Sequence, residues 1–457
     1  MAQQRTTDVP DSSPDLSDRG LPKRTPVKAA VAALVGTSIE WYDFFIYATA
    51  AALVFRELFF SPDLSPLTGT IIAFATTSFG YLGRPIGAVI FGSLGDRIGR
   101  KRTLIFTLLL MGGATFGMGL LPTYDQVGAF APLGLILLRL LQGVAVGGEW
   151  GGAALLSVEH APQGRKTFFG SFTQMGSSVG ALLSSLVFLL AENLSGGLLA
   201  GWWRLPFLFS AVLVVIALIV RLTVEESPEF VEAQLQKYRS TSPLREIAGS
   251  LRGRVLLGAG TMLVATGGYY VTSSFFLAYA TEQAGVPAMV MLNALTFAAV
   301  CEVLFMPLAG WLGDRWKPQY VVAVGLGIIA VVGFPLFLIT HTGNAALIFL
   351  FAAIVSLGTA FNYGPMAHIL TRMFPVRVRY TGISLSYQVA ALTAGALTPI
   401  IVPLLLAAGD GSPVLVVAYL VILCLTAGAC VLRTRRFTDR DGVTERITVA
   451  LDRAEQR

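Results

Sequence analysis

Charged side chains inside long apolar segments are the residues of this sequence best placed to do chemistry. In the first half of the chain they are Glu40, Asp43, Arg84, Arg139 and Glu149. A charge at the centre of a bilayer costs at least about 2.5–3.5 kcal/mol, so each of these residues needs a partner or a function. The second half offers only Glu302 and, near the end of a segment, His368. Chemistry that moves charge is therefore predicted to lie in the first half.

The acidic candidates fall on one helical face. Glu40, Asp43 and Tyr47 are spaced i, i+3, i+7, which places them together if the segment is helical. Burial favours the neutral form of a carboxyl and a nearby arginine favours the ionised form, so a carboxyl that changes surroundings can load and release a proton. We predict Asp43 as the proton carrier. The alternative is an Asp43 that stays ionised in a structural pair with Arg84 or Arg139.

The basic candidates indicate what could be bound. An arginine fork suits a carboxylate better than a sugar hydroxyl or an organic cation, so Arg84 and Arg139 predict an organic acid. Gln142 lies one turn from Arg139 and shares a face with Glu149, which is either a second proton-coupling residue, together with Glu40, or a packing residue. Neutral groups that could complete the site, each of which could equally be a packing residue, are Tyr47, Tyr269, Tyr270, Asn362, Tyr363, Tyr387 and Gln388.

The elements that carry these residues are long apolar segments. Hydrophobic residues make up 54% of the 457 and charged residues 13%, whereas an ordinary soluble domain is about a quarter charged. About 20 apolar residues cross the hydrocarbon core as helix. We therefore predict an all-α membrane protein with twelve transmembrane helices, at approximately 28–56, 68–92, 103–122, 131–157, 167–191, 203–222, 254–280, 289–312, 319–340, 345–371, 381–408 and 413–433.

The distribution of charge predicts the topology. All of the 33 lysines and arginines except Arg56, Arg84, Arg139 and Arg204 fall in loops, tails or helix ends that face one side if the N-terminus is inside. Both tails are then cytoplasmic, and the first 26 residues have no apolar run typical of a signal peptide. The predicted units are a disordered tail (1–27), a six-helix bundle (28–222), a cytoplasmic loop (223–253), a second bundle (254–433) and a cytoplasmic tail (434–457).

A glycine-rich basic loop occurs twice. The sequence Gly92-Ser-Leu-Gly-Asp96-Arg-Ile-Gly-Arg-Lys-Arg102 follows the second segment, and Gly310-Trp-Leu-Gly-Asp314-Arg315 follows the eighth. The first copy resembles the signature loop of the major facilitator superfamily, which latches the two halves together on the cytoplasmic side. The second copy departs from the pattern at Trp316-Lys317-Pro318, so a looser latch is expected there. The residues to which the resemblance gives this role are Gly92, Asp96, Arg97, Gly99, Arg100, Glu159, Asp314 and Arg315.

Further motifs resemble one family within that superfamily, the metabolite:proton symporters. They are Ile39–Tyr47, Arg84–Gly87, Gln142–Gly152 and Glu226–Phe230. The resemblance implies two pseudo-symmetric six-helix bundles around a mid-membrane cavity in the inner membrane, working as a monomer. It also implies proton-coupled uptake of a small organic acid, such as a shikimate-like, dicarboxylate or aromatic acid, by alternating access, with the proton gradient in place of a cofactor.

Other readings remain open at this point. One is uptake of a zwitterionic osmolyte such as proline or betaine, another is efflux by proton antiport, and a third is a membrane sensor that binds solute without transporting it. The sequence has no phosphate-binding loop, no His-Glu-x-x-His and no Gly-x-Ser-x-Gly elbow, which argues against an enzyme. The scattered histidines and the three cysteines in apolar segments argue against a metal site. The net charge of +6 lies in short loops, so nucleic acid is not expected as a partner.

Overall fold

The computed structural model describes residues 24–63, 66–194, 197–235 and 242–455, without the side chains of Ala52, most of 66–77, and 438–455. Most of the predicted N-terminal tail thus lies outside the described residues. The described chain is helical throughout its regular elements, with no strand. The first six long helices are α1 (Pro26–Leu53), α2 (Pro66–Ile98), α3 (Arg100–Leu120), α4 (Phe130–His160), α5 (Lys166–Glu192) and α6 (Arg204–Leu222).

Six more long helices follow a short helix, Pro228–Leu235, in the central loop. They are α7 (Pro243–Glu282), α8 (Ala288–Trp316), α9 (Pro318–Thr340), α10 (Ala345–Met373), α11 (Val376–Ala408) and α12 (Val414–Glu455). Several of these begin or end some residues beyond the predicted segments, because helices continue past the apolar core into the loops. Within α7 the hydrogen bonding widens to π-helical turns at Val264–Gly268 and Val271–Phe275.

Of the twelve long helices in the described residues, eleven are apolar enough to cross a membrane by length and composition. The helix that does not meet this criterion is α2. Its 33 residues would span about 50 Å as helix, more than the bilayer core requires. It packs extensively against α4. The predicted all-α fold with twelve helices is confirmed, and the buried side chains form one large apolar cluster in α1–α6 and another mainly in α7–α12.

Glycines bring α2 and α4 into backbone contact. A Cβ at Gly143 would lie 2.0 Å from the carbonyl oxygen of Gly80, and one at Gly147 would lie 2.0 Å from that of Arg84. No side chain larger than hydrogen fits at either position, so the small-residue strip of α4 fixes the distance between the two helices. This close packing places Arg84 of α2 beside Arg139 of α4, since both line one small cavity.

Candidate functional site

Asp43 is buried at the centre of the first bundle and is held by a hydroxyl. Its side chain is 1% exposed, and Oδ2 accepts a hydrogen bond of 2.7 Å from Thr115 Oγ1 of α3. The other oxygen, Oδ1, has no hydrogen-bond partner among the described residues. Within that same part of the chain, Asp43 makes no ion pair, so neither Arg84 nor Arg139 is locked to it in this conformation.

A chain of hydrogen bonds nevertheless joins Asp43 to a cation. Gln142 Nε2 donates to Thr115 Oγ1 at 2.8 Å, and the Gln142 carbonyl oxygen accepts from the guanidinium of Arg139. Arg139 is 4% exposed, and its guanidinium lies 4.0 Å from the ring centroid of Tyr47. The two charged groups are therefore separated by two neutral side chains, and a change of charge or position at one end alters the hydrogen bonds at the other.

Arg84 and Glu40 lie beside this chain. The Arg84 guanidinium stacks on the rings of Tyr81 (4.7 Å) and Phe44 (5.7 Å), and no hydrogen bond joins it to any described residue. Glu40 is 4% exposed, and its Oε2 is unpartnered within the described chain. Both residues line a small cavity of about 10 Å³ together with Arg139 and Gln142. The first bundle thus holds two arginines and two carboxyls that do not fully satisfy one another.

The second bundle faces this group with neutral side chains. Tyr387 of α11 stacks on Trp150 of α4, with ring centroids 4.7 Å apart, and lies within electrostatic range of Arg84 and Glu40. Polar atoms of two other predicted residues, the side-chain amide of Asn362 and Oε1 of Gln388, are buried without partners among the described residues. Of the neutral residues predicted in the second bundle, Tyr387 therefore lies near both charged groups, and Tyr363 lies within electrostatic range of Glu40.

Tyr269 instead lines a larger cavity between the bundles. This cavity has a volume of about 430 Å³, within the range of sites for small solutes. Glu302 of α8 also lines it, and Oε2 of this carboxyl accepts a 2.7 Å hydrogen bond from Ser178 of α5 in the other bundle. Hydroxyl groups dominate the remaining polar lining, which comprises Thr49, Ser184, Ser185, Thr272, Ser273, Ser274, Thr296, Ser356 and Thr359.

The two bundles meet at the end of the molecule that carries the basic loops, here called the basic end. Asp96 accepts hydrogen bonds from the backbone N–H groups of Tyr380 and Thr381, both at 3.0 Å, and from the Thr381 hydroxyl at 2.7 Å. Asp314 accepts from the backbone N–H groups of Thr167 and Phe168, both at 2.8 Å. Each copy of the loop thus places an aspartate on the N-terminus of a helix in the opposite bundle, where the helix dipole favours an anion.

Ion pairs strengthen this contact. Arg100 is fully buried, with Nε 3.3 Å from Glu159 Oε2, and Glu159 Oε1 accepts from Arg379 of α11 at 2.9 Å. Arg379 also pairs with Glu229 of the central loop at 2.5 Å. We refer to Asp96, Arg100, Glu159, Glu229, Asp314 and Arg379 as the clasp.

The other residues of the predicted latch take different positions. Gly92 lies against α11, because a Cβ there would be 2.9 Å from the Cα of Thr381. Gly99 has a φ of +111°, which favours glycine. Arg97 and Arg315 are exposed at the edge of the interface. The glycines thus set the shape of the contact between the bundles, and the acidic residues supply the attraction across it.

Removal of the Asp96 carboxyl is predicted to open the clasp. The variant Asp96→Ala loses three hydrogen bonds to a charged acceptor, so the population open at the basic end should rise more than tenfold. Distances between spin labels at the exposed positions Arg102 and Arg252, in a cysteine-free background, would measure the shift. Asp314→Ala, which loses two hydrogen bonds, should give a smaller shift in the same direction. Unchanged distances in both variants would contradict the role of the loop.

The contribution of Glu229 to the clasp is predicted to be insensitive to pH near neutrality. Burial alone would raise the pKa of the Glu229 carboxyl, but Arg379 and Lys166 outweigh it and hold the pKa well below its usual value of 4.5. A depressed pKa in the clasped state means that this contribution is complete above about pH 4.5 and is lost only as the pH falls further. Glu229→Gln should therefore weaken the clasp by the same factor at about pH 6 and pH 8, measured by the same label distances. A wild-type clasp that opens between those values and loses that response in Glu229→Gln would contradict this.

Glu149 is engaged in a buried ion pair. Its carboxylate pairs with Arg221 of α6 and accepts a hydrogen bond from the Thr107 hydroxyl at the other oxygen. Arg221 also donates to the carbonyl oxygen of Leu104. Both charged side chains are at most 2% exposed. The sequence places Arg221 among the basic residues at helix ends, whereas the structure buries it inside the first bundle. Glu149 therefore carries a proton only if this pair first separates.

Several residues of the site gave no clear signal in the sequence. In the sequence, nothing distinguishes Thr115 from other helix residues, and only the structure places it beside Asp43. Arg221 stands two residues before the central loop, where the sequence does not distinguish it from the basic residues that set the orientation in the membrane. Glu229 and Arg379 lie in segments rich in charge, which does not single out either of them. Only the neighbours brought in from other helices identify them.

Comparison with known proteins gives a consistent result. The family model described as Major Facilitator Superfamily matches residues 33–399. The Shikimate transporter of Escherichia coli (strain K12) is 39% identical over 410 residues, which cover 89% of this chain and 93% of that protein. Inner membrane metabolite transport protein YhjE of the same organism is 39% identical over 82% of this chain and 86% of that protein. The Proline/betaine transporter of that strain is 32% identical over 81% and 76%.

Solved structures resemble the fold. The proton:xylose symporter XylE bound to 6-bromo-6-deoxy-D-glucose superposes with a TM-score of 0.66 at 18% identity, covering 91% of this chain and 95% of that one. The transporter FucP in the outward conformation superposes with a TM-score of 0.63 at 16% identity, covering 89% and 98%. At these identities the likeness extends to the arrangement of helices in two bundles.

Proposed function

Because the chain belongs to the major facilitator superfamily and is a multi-pass membrane transporter of metabolites, we propose that it takes up a small organic acid together with protons. The observation that carries this proposal is the hydrogen-bonded chain from Asp43 through Thr115 and Gln142 to Arg139. It links a carboxyl that can take a proton to a cation that can take a carboxylate.

The coupling follows from competition for positive charge. While Asp43 is ionised, its negative charge and that of a bound organic anion are both stabilised by Arg139, and the two anions repel each other. Protonation of Asp43 removes the second anion, so the affinity for substrate rises, and bound substrate raises the affinity for the proton by the same factor. Arg84, which has no hydrogen bond to described residues, supplies the second cation for the carboxylate.

The rest of the solute would lie in the cavity between the bundles. Its volume of about 430 Å³ and its many hydroxyl groups suit a small molecule with hydroxyl or further polar groups. Phe45 and Thr49 on its wall lie on α1, within two turns of Asp43. A solute could therefore bridge the neutral cavity and the arginines, contacting both bundles, as alternating access requires.

We infer that this conformation faces outward. The clasp closes the basic end, and an adjoining space of about 660 Å³ lies near the opposite ends of α1 and α5, at Thr49, Leu53 and Glu192. If the basic end is cytoplasmic, as the positive-inside rule indicates, both termini are inside and the cavity leads outward. Glu40 and Glu149 remain secondary candidates for proton binding, with the proton gradient as energy source and a monomer as the working unit.

Uptake of a zwitterionic osmolyte is the second candidate, supported by the likeness to the Proline/betaine transporter. A quaternary or secondary ammonium is best held by open aromatic faces. Near the arginines, the rings of Phe44, Tyr47 and Tyr81 are already covered by guanidinium groups. The arrangement thus favours an anion over a zwitterion.

Transport by purified protein in liposomes tests the proposal. Radiolabelled shikimate, dicarboxylates, aromatic acids, proline and betaine would be offered with and without an inward proton gradient. We expect accumulation of one acid that depends on the gradient. Accumulation of proline or betaine instead would contradict the proposed substrate class. Exchange that does not respond to the gradient would contradict the proposed proton coupling.

A further inference from the structure

A polar groove at the basic end lies outside the site described so far. It is formed between the α4–α5 turn and the start of α5 in one bundle and the C-terminal end of α8 in the other, with a volume of about 420 Å³. We call it the second groove, because it adjoins the second copy of the glycine-rich loop. Its lining residues are Gly164, Arg165, Phe168, Trp311, Asp314 and Arg315.

The pseudo-symmetric position in the first repeat is filled by the chain itself. There the helical turn Pro243–Glu246 packs against α2 and against Val376–Val378 at the start of α11. Glu246 supplies a carboxylate, which accepts from Arg377 Nε at 2.8 Å and lies 2.6 Å from its Nη2. At this position, which we call the first groove, the central loop therefore supplies both a carboxylate and a covering segment.

The second groove has two arginines but receives no carboxylate from the central loop. Arg165 and Arg315 are both exposed, and neither side chain makes a hydrogen bond or an ion pair with a described residue. The Arg315 guanidinium stacks on the ring of Trp311, 5.6 Å from its centroid. The only lining carboxyl, Asp314, already accepts the N–H groups at the start of α5. The last helix, α12, continues to Glu455, and the described residues of this part of the chain form no turn equivalent to Pro243–Glu246.

The aromatic surroundings place this groove at the membrane interface. Trp311, on the wall, is 48% exposed, and the nearby Trp316 and Tyr320 are 58% and 42% exposed. Tryptophan and tyrosine concentrate where headgroups meet hydrocarbon, and basic residues there attract anionic lipids. A guanidinium pair matches the geometry of a phosphate.

We propose that the second groove binds the headgroup of an anionic phospholipid, with its phosphate between Arg165 and Arg315 and its acyl chains beside Trp311. Arg165 belongs to the first bundle and Arg315 to the second, so one phosphate contacts both. The lipid therefore binds the clasped conformation in preference to one in which the basic end is open. It takes the place that Glu246 holds in the first groove.

Quenching of tryptophan fluorescence by brominated lipids tests this binding site. The whole protein would be placed in bilayers containing brominated phosphatidylglycerol or, for comparison, brominated phosphatidylcholine. We expect stronger quenching by the glycerol lipid, and Trp311→Phe should remove most of that difference. The double variant Arg165→Gln/Arg315→Gln should lower the preference for phosphatidylglycerol roughly thirtyfold.

A matched control separates a site from general attraction to a basic surface. Arg102→Gln/Arg252→Gln removes two exposed arginines that lie outside the groove and should keep the preference. The proposal is overturned if both brominated lipids quench equally in the wild type, or if the control variant loses as much preference as the groove variant. Displacement of the lipid by millimolar inorganic phosphate would likewise overturn it, since the ligand would then be a free anion.

Discussion

Replacement of Asp43 by asparagine is expected to abolish proton-driven accumulation while leaving exchange of solute across the membrane intact. The asparagine keeps an oxygen that can accept from Thr115, so the local packing is preserved. It cannot gain or lose a proton, so solute binding no longer depends on proton binding. With one proton per solute and a gradient of two pH units, the wild type should accumulate solute about 100-fold and the variant should reach equal concentrations only.

Glu302→Gln is the matched control for this prediction. Glu302 is also a buried carboxyl held by one hydroxyl, that of Ser178, but it lies in the second bundle away from the arginines. We expect this variant to keep its response to the gradient. Both would be compared in liposomes by gradient-driven uptake and by counterflow at equal pH. Full accumulation by Asp43→Asn would contradict the proposed proton carrier, and loss of counterflow would mean that the substitution damages the site itself.

Replacement of Arg221 by methionine is expected to be the most destabilising single change in the first bundle. It leaves the Glu149 carboxylate buried with only the Thr107 hydroxyl as a partner. Loss of one member of a buried ion pair typically costs about 3–5 kcal/mol, since the other charge remains without compensation. The midpoint of thermal unfolding in detergent should fall by many degrees, or the protein should fail to accumulate in the membrane.

The double variant Glu149→Gln/Arg221→Met distinguishes the lost ion pair from lost packing. Methionine fills much of the volume of the arginine, and glutamine can still accept from Thr107. We expect the double variant to recover most of the stability, because no buried charge remains. If the double variant is as unstable as Arg221→Met alone, the contribution of Arg221 lies in packing against Gly36 and in its bond to Leu104.

The twelve helices followed from hydropathy because in lipid the backbone must satisfy its own hydrogen bonds, so every long apolar segment becomes a helix. Gly143 and Gly147 stand one helical turn apart in the sequence, but only the structure shows that the helix packed against them is α2. Helix ends were predicted less well, because α2 and α4 continue several residues beyond the apolar core. Polar residues at these ends form the clasp, and composition alone does not place them.

The sequence by itself determined the residue types of the site. Asp43, Arg84, Arg139 and Glu149 stand out in apolar segments because an unpaired charge there is costly. The duplicated loop likewise marked Asp96 and Asp314 as equivalent positions.

Only the tertiary structure decided the pairings, since these join residues far apart in the chain. Asp96 contacts a helix start that follows it by 284 residues, and Asp43 is held by Thr115, 72 residues away. Glu149 and Asp43 are both buried acids in neighbouring helices, yet one is paired with Arg221 and the other with a hydroxyl. The physical reason is that the free energy of a buried charge depends on the groups within a few ångströms of it, and helix packing chooses those groups.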